Sequence, residues 1–249
     1  MTFTEDPSKA SGFYCGQRKN GLQISADSKF VRRHVMPERQ DCQSLYEEGF
    51  TSDGVYTIRP PEGAATDAWC DMEHGGWTVI SRRLDGREDF NRGWNQYVAG
   101  FGTRTGEYWL GLESIHLLTL LNTSVKIYVE SFGDVSPTSV NAQYSKFVVN
   151  DVFTNYRLEI DGFIGDCGDS MAIHNNMQFT TFDNDNDKYS GNCAVLYPGG
   201  YWYKSCHYAN PNGLYLGGAT DQFGKGMSWF ECWGHYYSPK IYVYKLKRN

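Results

Sequence analysis

From about residue 161 onward, the chain consists mostly of Gly, Asn, Asp and aromatic residues and shows almost no hydrophobic periodicity. A stretch this long with no regular secondary structure of its own is uncommon inside a compact domain. Such a stretch needs additional stabilisation, for example from disulfide bonds or a bound metal ion. The cysteines and the acidic residues of this stretch are therefore the features that most restrict the fold.

The overall composition favours a folded domain that recognises something other than nucleic acid. The chain of 249 residues carries a net charge of −6, with 40% hydrophobic and 21% charged residues. This balance allows a substantial core, and the acidic excess argues against nucleic acid as the main partner. No apolar run approaches the roughly 18 residues of a membrane helix, so no membrane insertion is expected. The aromatic content of 16% suits a core built from rings or a ring-rich surface for carbohydrate or protein recognition.

Local patterns predict an α+β fold with a loop-dominated C-terminal third. A capping acid and a terminating glycine predict a short helix over residues 41–49, and residues 111–121 predict a second helix. Alternation of apolar and polar residues predicts strands over residues 124–132, 156–160 and 240–246.

The first forty residues differ from the rest. Residues 1–40 mix Lys, Arg, Ser, Asp and Gly without sustained periodicity, which predicts an irregular leader before a domain of residues 41–249. The N-terminus has no basic segment followed by an apolar stretch, which taken alone indicates the cytosol. The cysteine usage indicates a secreted, extracellular protein instead, as expected for a mature form or a fragment. Asn122-Thr-Ser124 is the one N-glycosylation sequon and would lie on the surface of a secreted protein.

The seven cysteines are spread singly along the chain. They are Cys15, Cys42, Cys70, Cys167, Cys193, Cys206 and Cys232. Zinc sites usually draw on closely spaced pairs and redox sites on C-x-x-C, so disulfide bonds are the better interpretation, with buried thiols as the alternative. Spacing alone does not choose among the pairings. The odd number leaves one thiol free or available for an intermolecular bond, and Cys15 in the leader is the candidate.

The run from Thr181 to Cys193 carries the strongest chemical signal. Asp183, Asp185 and Asp187 alternate with asparagines, and like charges this close together repel unless a cation offsets them. Ca²⁺ suits a loop rich in carboxylates and backbone carbonyls. The spacing is not that of an EF-hand, and a solvated acidic turn is the alternative.

Catalysis is not expected, and no catalytic residue is assigned. Gly168-Asp-Ser-Met171 is similar to the start of certain esterases, with Ser170 as the nucleophile, but the matching Asp71-x-x-His74 string lies upstream rather than downstream. A helix cap by Asp169 or Ser170 explains the motif better. The histidines have no H-E-x-x-H or comparable metal spacing.

Taken together, the ordered motifs between about Asp41 and Lys247 resemble the fibrinogen-related domain, the C-terminal globe of fibrinogen chains, ficolins, tachylectins and angiopoietins. The motifs are Asp41-Cys42, Trp69-Cys-Asp-Met72, Gly75-Gly-Trp-Thr-Val-Ile80, Trp109-Leu-Gly-Leu112, Ile115-His116, Gly168-Asp-Ser-Met171, Phe182-Asp-Asn-Asp-Asn-Asp187, Asn192-Cys193, Trp202-Tyr203, Cys206-His207 and Asn212-Gly-Leu-Tyr215. The resemblance implies a mixed, mainly antiparallel sheet, short helices and a calcium- and ligand-binding subregion over about residues 161–240.

The resemblance also implies which residues bind calcium and which cysteines are paired. Counting back from Cys193, the family's calcium ligands fall on the side chains of Asp185 and Asp187 and on the carbonyls of Tyr189 and Gly191. The family disulfides fall on Cys42–Cys70 and Cys193–Cys206. Cys167 and Cys232 are outside the usual set, and we hypothesise that they form an extra bond.

Relatives that bind acetylated sugars use a pocket beside the calcium loop, next to a cis peptide that corresponds to Ser205–Cys206. The positions that match this pocket are Tyr197, Cys206, His207, Phe223, Gly224 and His235. The backbone N–H groups of Cys206 and His207 would face an acetyl oxygen, and rings would enclose the methyl group.

Three of these positions depart from the family pattern. Phe223 stands where Tyr is usual, Gly224 where Ala is usual, and His235 where relatives carry a larger ring. Tyr197 stands where fibrin-polymerising chains carry an acid that receives a basic peptide end, so a pocket of that kind is not expected.

The resemblance implies a secreted, calcium-dependent lectin that binds acetyl groups on glycans, as in innate immune recognition. The alternative is a protein-recognition module of the angiopoietin or matrix type, which would bind a receptor or matrix protein through the same surface. One small pocket would bind weakly, so a homo-oligomer is expected to supply avidity in the full-length protein.

Overall fold

The computed structural model describes residues 39–249. The predicted leader of residues 1–40, with Cys15, lies outside the described residues except for its last two positions.

The strands, in chain order, are mostly short in the second half of the chain. They are β1 (Gly54–Ile58), β2 (Thr66–Asp71), β3 (Trp77–Arg83), β4 (Phe101–Gly102), β5 (Tyr108–Trp109), β6 (Thr123–Glu130), β7 (Ser139–Val149), β8 (Leu158–Gly165), β9 (Ala209–Asn210), β10 (Gly218–Ala219), β11 (Ser228–Trp229), β12 (Tyr237–Ser238) and β13 (Ile241–Arg248). Strands β9 with β11 and β10 with β12 form two small ribbons, and the others form one sheet.

The helices are all short. They are α1 (Cys42–Glu47), α2 (Trp94–Ala99), α3 (Leu112–Thr119), α4 (Cys193–Leu196) and α5 (Phe230–Trp233), with 3₁₀ turns at Val152–Thr154 and Ala172–His174. Within residues 39–249, no helix is long and apolar enough to cross a membrane.

The last strand of the chain occupies the middle of the large sheet. The order is β1-β2-β3-β13-β6-β7-β8, and every neighbouring pair in it is antiparallel. Strand β13 alternates between buried residues such as Tyr242, Tyr244 and Leu246 and partly exposed residues. This alternation places one face of β13 on the core and leaves Lys245 and Lys247 on the other face.

The predicted α+β class is confirmed, and so are the helices near residues 41–49 and 111–121. Strands β6 and β13 lie where alternation predicts them, whereas β8 begins at Leu158, later than predicted, and continues to Gly165. Strands β3 and β7 and helix α2 were missed. All seven residues of β3 are buried, so this strand carries no alternating pattern.

Aromatic residues fill the core, and their polar tips bond to backbone carbonyls. Tyr97, Tyr108 and Tyr203 are completely buried, and each phenol donates to a carbonyl oxygen 2.5–2.9 Å away. The indole of Trp202 donates to the Tyr156 carbonyl at 2.8 Å. The aromatic residues therefore pack in the core, and each of these four rings also holds a nearby backbone segment in place by a hydrogen bond.

The structure joins six cysteines in three disulfide bonds. These are Cys42–Cys70, Cys167–Cys232 and Cys193–Cys206, with Cα–Cα distances of 5.4, 6.0 and 5.6 Å. The first ties α1 to β2, and the other two lie in the irregular region beyond residue 161. The pairing is the one that the resemblance and the extra-bond hypothesis imply.

A buried arginine connects the sheet to the irregular region. Arg83, at the end of β3, donates to the carbonyl oxygens of Pro211 and Gly213, both at 2.8 Å. Its guanidinium lies 4.0 Å from the centre of the Phe90 ring. Its Nε is 3.6 Å from Glu107 Oε1, and both side chains are only 2% exposed.

Glu107 in turn holds the turn that follows β3. Its oxygens accept the backbone N–H groups of Leu84, Gly86 and Glu88 at 2.8–3.0 Å. Burial opposes the charged form, but these N–H donors and the charge of Arg83 outweigh it and lower the pKa of Glu107. The carboxylate is therefore ionised and paired in the folded protein.

Replacing Arg83 with Met should destabilise the domain strongly, because it leaves Glu107 as an unpaired buried charge. Removing one partner of a buried ion pair costs about 3–5 kcal/mol. We expect the free energy of unfolding, measured by urea denaturation, to fall by about this amount.

Arg87→Met is the matched control, because Arg87 is 89% exposed in the same turn. An exposed substitution should change the free energy of unfolding by no more than about 0.5 kcal/mol. Equal unfolding midpoints for the Arg83 and Arg87 variants would contradict the role assigned to the buried pair.

Candidate functional site

The three aspartates of the acidic loop have different roles. Asp183 reaches helix α2, where its Oδ1 accepts the backbone N–H of Trp94 at 2.9 Å and the Thr181 hydroxyl at 2.6 Å. Burial opposes the charged form of Asp183, but these hydrogen bonds outweigh it and lower its pKa. A Cβ at Gly93 would lie 2.6 Å from the Asp183 carboxylate, so a glycine allows this close approach. Asp183 therefore fastens the loop to the rest of the fold.

Asp185 and Asp187 lie next to each other instead. Asp187 accepts the backbone N–H groups of Tyr189 and Cys193 at 2.7 and 2.8 Å, and Asp185 accepts the N–H of Asp187 at 3.3 Å. Burial raises the pKa of Asp187, and the charge of Asp185 raises it further despite the two N–H donors. The two negative charges oppose each other at this point of the loop.

Two backbone carbonyls of this loop could also serve as oxygen ligands for a cation. The carbonyl oxygens of Tyr189 and Gly191 accept no hydrogen bond from any residue of 39–249. In the same part of the chain, no group of three or more His, Cys, Asp or Glu side chains could hold a metal ion. A cation at this loop would therefore combine the carboxylates of Asp185 and Asp187 with these carbonyls. Such an all-oxygen set, completed by water, fits Ca²⁺.

The disulfide Cys193–Cys206 joins this loop to the ligand pocket. Cys193 is the first residue of α4, and the side chain of Asn192 caps that helix by accepting the N–H groups of Ala194 and Val195 at 2.8 and 3.2 Å. The backbone N–H of Lys188 also donates to the Lys204 carbonyl at 2.8 Å. The acidic loop and the segment before Cys206 are thus held side by side.

The pocket beside this disulfide has a volume of about 190 Å³. Its walls are mainly rings. The lining residues are Ile173, Tyr197, Ser205, Cys206, His207, Tyr208, Phe223 and His235. Five of the six predicted pocket residues line it, and the sixth, Gly224, lies behind the wall, where its carbonyl bonds to His207.

His207 forms the neutral floor of the pocket. Its Nε2 donates to the Gly224 carbonyl at 2.9 Å, and its Nδ1 lies 3.4 Å from the Ser228 hydroxyl. The Tyr197 ring stands perpendicular to it, with 4.9 Å between ring centres. Burial, together with the neighbouring His235 and His174, lowers the pKa of His207 to about 3. The imidazole is therefore uncharged at physiological pH.

A second buried histidine positions the backbone next to the pocket. His174 is completely buried, and its Nδ1 donates to the Trp202 carbonyl at 2.7 Å. Its Nε2 accepts the backbone N–H groups of Tyr208 and Ala209, both at 3.2 Å. Burial lowers the pKa of His174 to about 4, so this ring also stays neutral and keeps its acceptor.

Two backbone donors next to the pocket lack a partner. The N–H groups of Cys206 and His207 donate to no acceptor in the described part of the chain. The peptide bond between Ser205 and Cys206 is cis, as the resemblance implies. A ligand that carries a hydrogen-bond acceptor would satisfy these donors.

Three exposed rings lie at the pocket: Tyr208 and Phe223 line it, and Tyr236 contacts Phe223. Tyr208, Phe223 and Tyr236 are 37%, 48% and 57% exposed. The Phe223 and Tyr236 rings meet edge to face at 5.3 Å. We call these three residues the aromatic rim.

Comparison with known proteins agrees with this geometry. Residues 38–249 match the family described as the C-terminal globular domain of fibrinogen beta and gamma chains. The chain belongs to this fibrinogen C-terminal domain family.

Named relatives cover most of the chain. Human microfibril-associated glycoprotein 4 is 38% identical over 94% of this chain and 93% of its own length. Mouse fibrinogen-like protein 1 is 39% identical over 91% of this chain and 77% of its own length. The fibrinogen-like globe domain of human ANGPTL2 superposes with a TM-score of 0.81 at 38% identity, over 84% of this chain and 99% of that domain.

The fibrinogen-like pocket of this chain explains two of the unusual residues. Gly224 has a φ of +65°, and a Cβ there would lie 2.8 Å from the Tyr197 ring, so a larger residue would displace that ring. His235 packs between His207 and Phe223, with ring centres 5.0 and 4.9 Å away. Its buried Nδ1 has no hydrogen-bond partner in the described structure.

Sequence reasoning missed several contributors to this fibrinogen-like site. Ile173 and Tyr208 line the pocket, and His174 orients the backbone beside it. Tyr208 directly follows the recognised Cys206-His207 motif, so adjacency could have indicated it. Ile173 and His174 come from a separate 3₁₀ turn, and no local pattern connects that turn to the pocket.

Ser170 has a structural role in this domain. It is completely buried, and its hydroxyl oxygen accepts the Glu231 backbone N–H in the first turn of α5 at 3.0 Å. The expected helix cap by Asp169 or Ser170 is wrong, because the following 3₁₀ turn has no side-chain cap. Asp169 instead accepts the Met171 N–H at 3.0 Å and the Tyr144 hydroxyl.

The neutral histidines predict a pH dependence of stability. An unfolded histidine titrates near pH 6.5, whereas His174 and His207 have folded pKa values of about 4 and about 3. The unfolded state therefore binds more protons below pH 6.5, and the free energy of unfolding should decrease as the pH falls. We expect each ring to contribute up to about 1.4 kcal/mol per pH unit between pH 5.5 and 4.5, measured by urea denaturation.

His207→Gln provides the comparison, because its amide can still donate to the Gly224 carbonyl. This variant should lose the part of the decrease that His207 contributes, and keep the parts from His174 and His235, whose pKa values are also lowered by burial. An unchanged pH dependence in His207→Gln would show that His207 is already protonated in the fold.

Proposed function

We propose that this chain is an extracellular recognition domain that binds a partner protein through the aromatic rim around the pocket. The observation that carries the proposal is the cluster of three half-exposed rings, Tyr208, Phe223 and Tyr236, around a neutral cavity. Aromatic residues dominate the energetics of protein interfaces because they bury a large area at little entropic cost. The buried, neutral His207 leaves no fixed charge on the floor of the pocket.

The relatives favour a protein partner of the matrix type. Human microfibril-associated glycoprotein 4 aligns over almost its full length, and its name states an association with microfibrils. The present chain has the same extent and the same family fold. We therefore propose a matrix protein as the partner class.

Two features support an extracellular location. Three disulfide bonds persist only in an oxidising environment. Asn122 of the glycosylation sequon is exposed at the turn between α3 and β6, where an attached glycan would meet no core residue.

We also propose that Ca²⁺ binds at the acidic loop and stabilises the recognition surface. Asp185 and Asp187 would supply carboxylate oxygens, and Tyr189 and Gly191 would supply carbonyls that have no other described partner. The cation would offset the repulsion between the two carboxylates. Because Cys193 and Cys206 are linked, ordering of this loop would be transmitted to the pocket.

Asp185→Asn should abolish calcium binding measured by isothermal titration calorimetry, since it removes one of the two carboxylate charges. Asp183→Asn is the matched control in the same loop, because Asp183 bonds to Trp94 and Thr181 rather than facing the proposed cation. We expect the control to keep calcium affinity within about threefold. Equal losses in the two variants would refute the ligand assignment.

Acetyl-group binding is a second candidate function, favoured by one specific observation. The N–H groups of Cys206 and His207 lack acceptors within residues 39–249 and lie beside a ring-lined cavity of about 190 Å³. An acetyl oxygen would satisfy these donors, and the rings would enclose its methyl group. Phe223 lacks the phenol of the usual Tyr, which removes a hydrogen bond worth about 1 kcal/mol.

The protein-binding proposal predicts that Phe223→Ser combined with Tyr236→Ser weakens binding to immobilised extracellular microfibrils at least tenfold. The physical reason is the loss of two anchoring rings from the rim. Phe153→Ser is the control, because Phe153 is 92% exposed in the 3₁₀ turn Val152–Thr154, which contributes nothing to the pocket lining. Binding would be measured by surface plasmon resonance in calcium.

Free N-acetylglucosamine in the same assay distinguishes the two candidates. Under the protein-binding proposal it leaves binding unchanged. Complete displacement by the sugar would favour the acetyl-binding function, and identical binding by the rim and control variants would overturn the role of the rim.

A further inference from the structure

A larger cavity lies on the side of the sheet away from the core. Its volume is about 700 Å³, within the range of ligand sites. It shares no residue with the ring-lined pocket. We call it the sheet-face groove, and its lining residues are His74, Trp77, Lys126, Ile127, Tyr128, Asn141, Ala142, Gln143, Ile164, Gly165, Asp166 and Lys245.

The floor of the groove is a row of side chains in register across four strands. Lys245 of β13 pairs with Lys126 of β6, which pairs with Gln143 of β7, which pairs with Ile164 of β8. Residues in register on neighbouring strands point to the same face. The row therefore runs from two ammonium groups, past a neutral amide, to an apolar side chain that is 75% exposed.

Like charges directly opposite each other on paired strands destabilise a sheet. Lys245 is neutralised by Asp71, whose Oδ2 is 2.6 Å from its ammonium group. Lys126 and Lys247 form no ion pair with any residue of the described chain. Both ammonium groups instead lie over the ring of Trp77, 4.7 and 5.8 Å from its centre.

We propose that this groove binds a sulfated glycan strand, with a sulfate group at its Trp77 end, where Lys126 lines the groove and Lys247 lies beyond the lining over the same ring. An anion there would offset the repulsion between the two ammonium groups, which the Trp77 ring holds in place by cation–π contact. The lysine ammonium groups can each donate several hydrogen bonds to sulfate oxygens as compact point charges. Gln143 supplies an amide for sugar hydroxyls, and Asn141, whose Nδ2 donates to Asp166 at 2.9 Å, supplies its amide oxygen.

The position of the groove disfavours an acidic peptide as the occupant. The groove lies on the face of the sheet, mainly over β13, β6 and β7, each of which has sheet neighbours on both sides, and it reaches the edge strand β8 only through Ile164 and Gly165. An extended peptide gains most of its affinity by adding to a free strand edge, and these central strands offer none. A glycan satisfies its hydroxyls with side chains and needs no strand edge.

The test measures binding of a heparin-derived octasaccharide to the full chain by isothermal titration calorimetry. Lys126→Gln combined with Lys247→Gln should weaken binding at least tenfold. The matched control is Lys204→Gln combined with Lys225→Gln, which removes the same charge from two exposed lysines outside the groove lining. The control should change affinity less than twofold, and desulfated octasaccharide should bind at least tenfold more weakly to the unaltered chain.

Ile164→Glu gives a second variant that does not touch the lysines. Its side chain is 75% exposed, so the fold should tolerate it, and a carboxylate in the groove should repel sulfate and weaken binding at least fivefold. Equal losses in the groove and control lysine variants would show attraction by net charge alone and overturn the proposal. Retained binding of the desulfated glycan, or tighter groove-dependent binding of an eight-residue glutamate peptide, would overturn it as well.

Discussion

An irregular backbone can be buried only where its polar groups find partners, and this requirement organises the region beyond residue 161. Side chains supply the partners that a helix or a sheet would otherwise provide. His174 accepts the N–H groups of two consecutive residues, Arg83 donates to two carbonyls of the segment after β9, and Asp183 anchors the acidic loop to α2. Buried rings do the same with their phenol and indole groups, so side chains replace regular structure as the hydrogen-bond partners of the loops.

Against this background, the few unsatisfied groups become informative. The N–H groups of Cys206 and His207 and the carbonyls of Tyr189 and Gly191 have no hydrogen-bond partner within the described residues. They lie on the two segments that the Cys193–Cys206 bond joins. A cation bound to these carbonyls and an acceptor bound to these N–H groups would give them partners, as the other polar backbone groups of the region already have. The acidic loop and the pocket are therefore covalently joined neighbours.

The sequence predicts the fold where hydrophobic alternation is strong and the family where motifs are dense. Strands β6 and β13 alternate clearly and were predicted, whereas β3 is buried on both faces and gives no periodic signal. The ring pocket follows from motif positions, because most of its residues lie in one segment. The family resemblance separates Asp183 from the ligand positions Asp185 and Asp187, but its bond to α2 could not be predicted, since only the fold brings α2 close to it. The sheet-face groove comes from residues on five strands or loops far apart in the chain, and only their registers bring the lysines together.

The central position of β13 has a consequence for how the chain is made. Its two neighbours, β3 and β6, lie in the first half of the described residues, whereas β13 is the last strand among them and is synthesised after both. Until then, two half-sheets present open edges to each other, and edges of this kind invite wrong pairing. Folding of a sheet with such distant partners is slow. The complete sheet of this domain can therefore form only after β13 has inserted between those two edges.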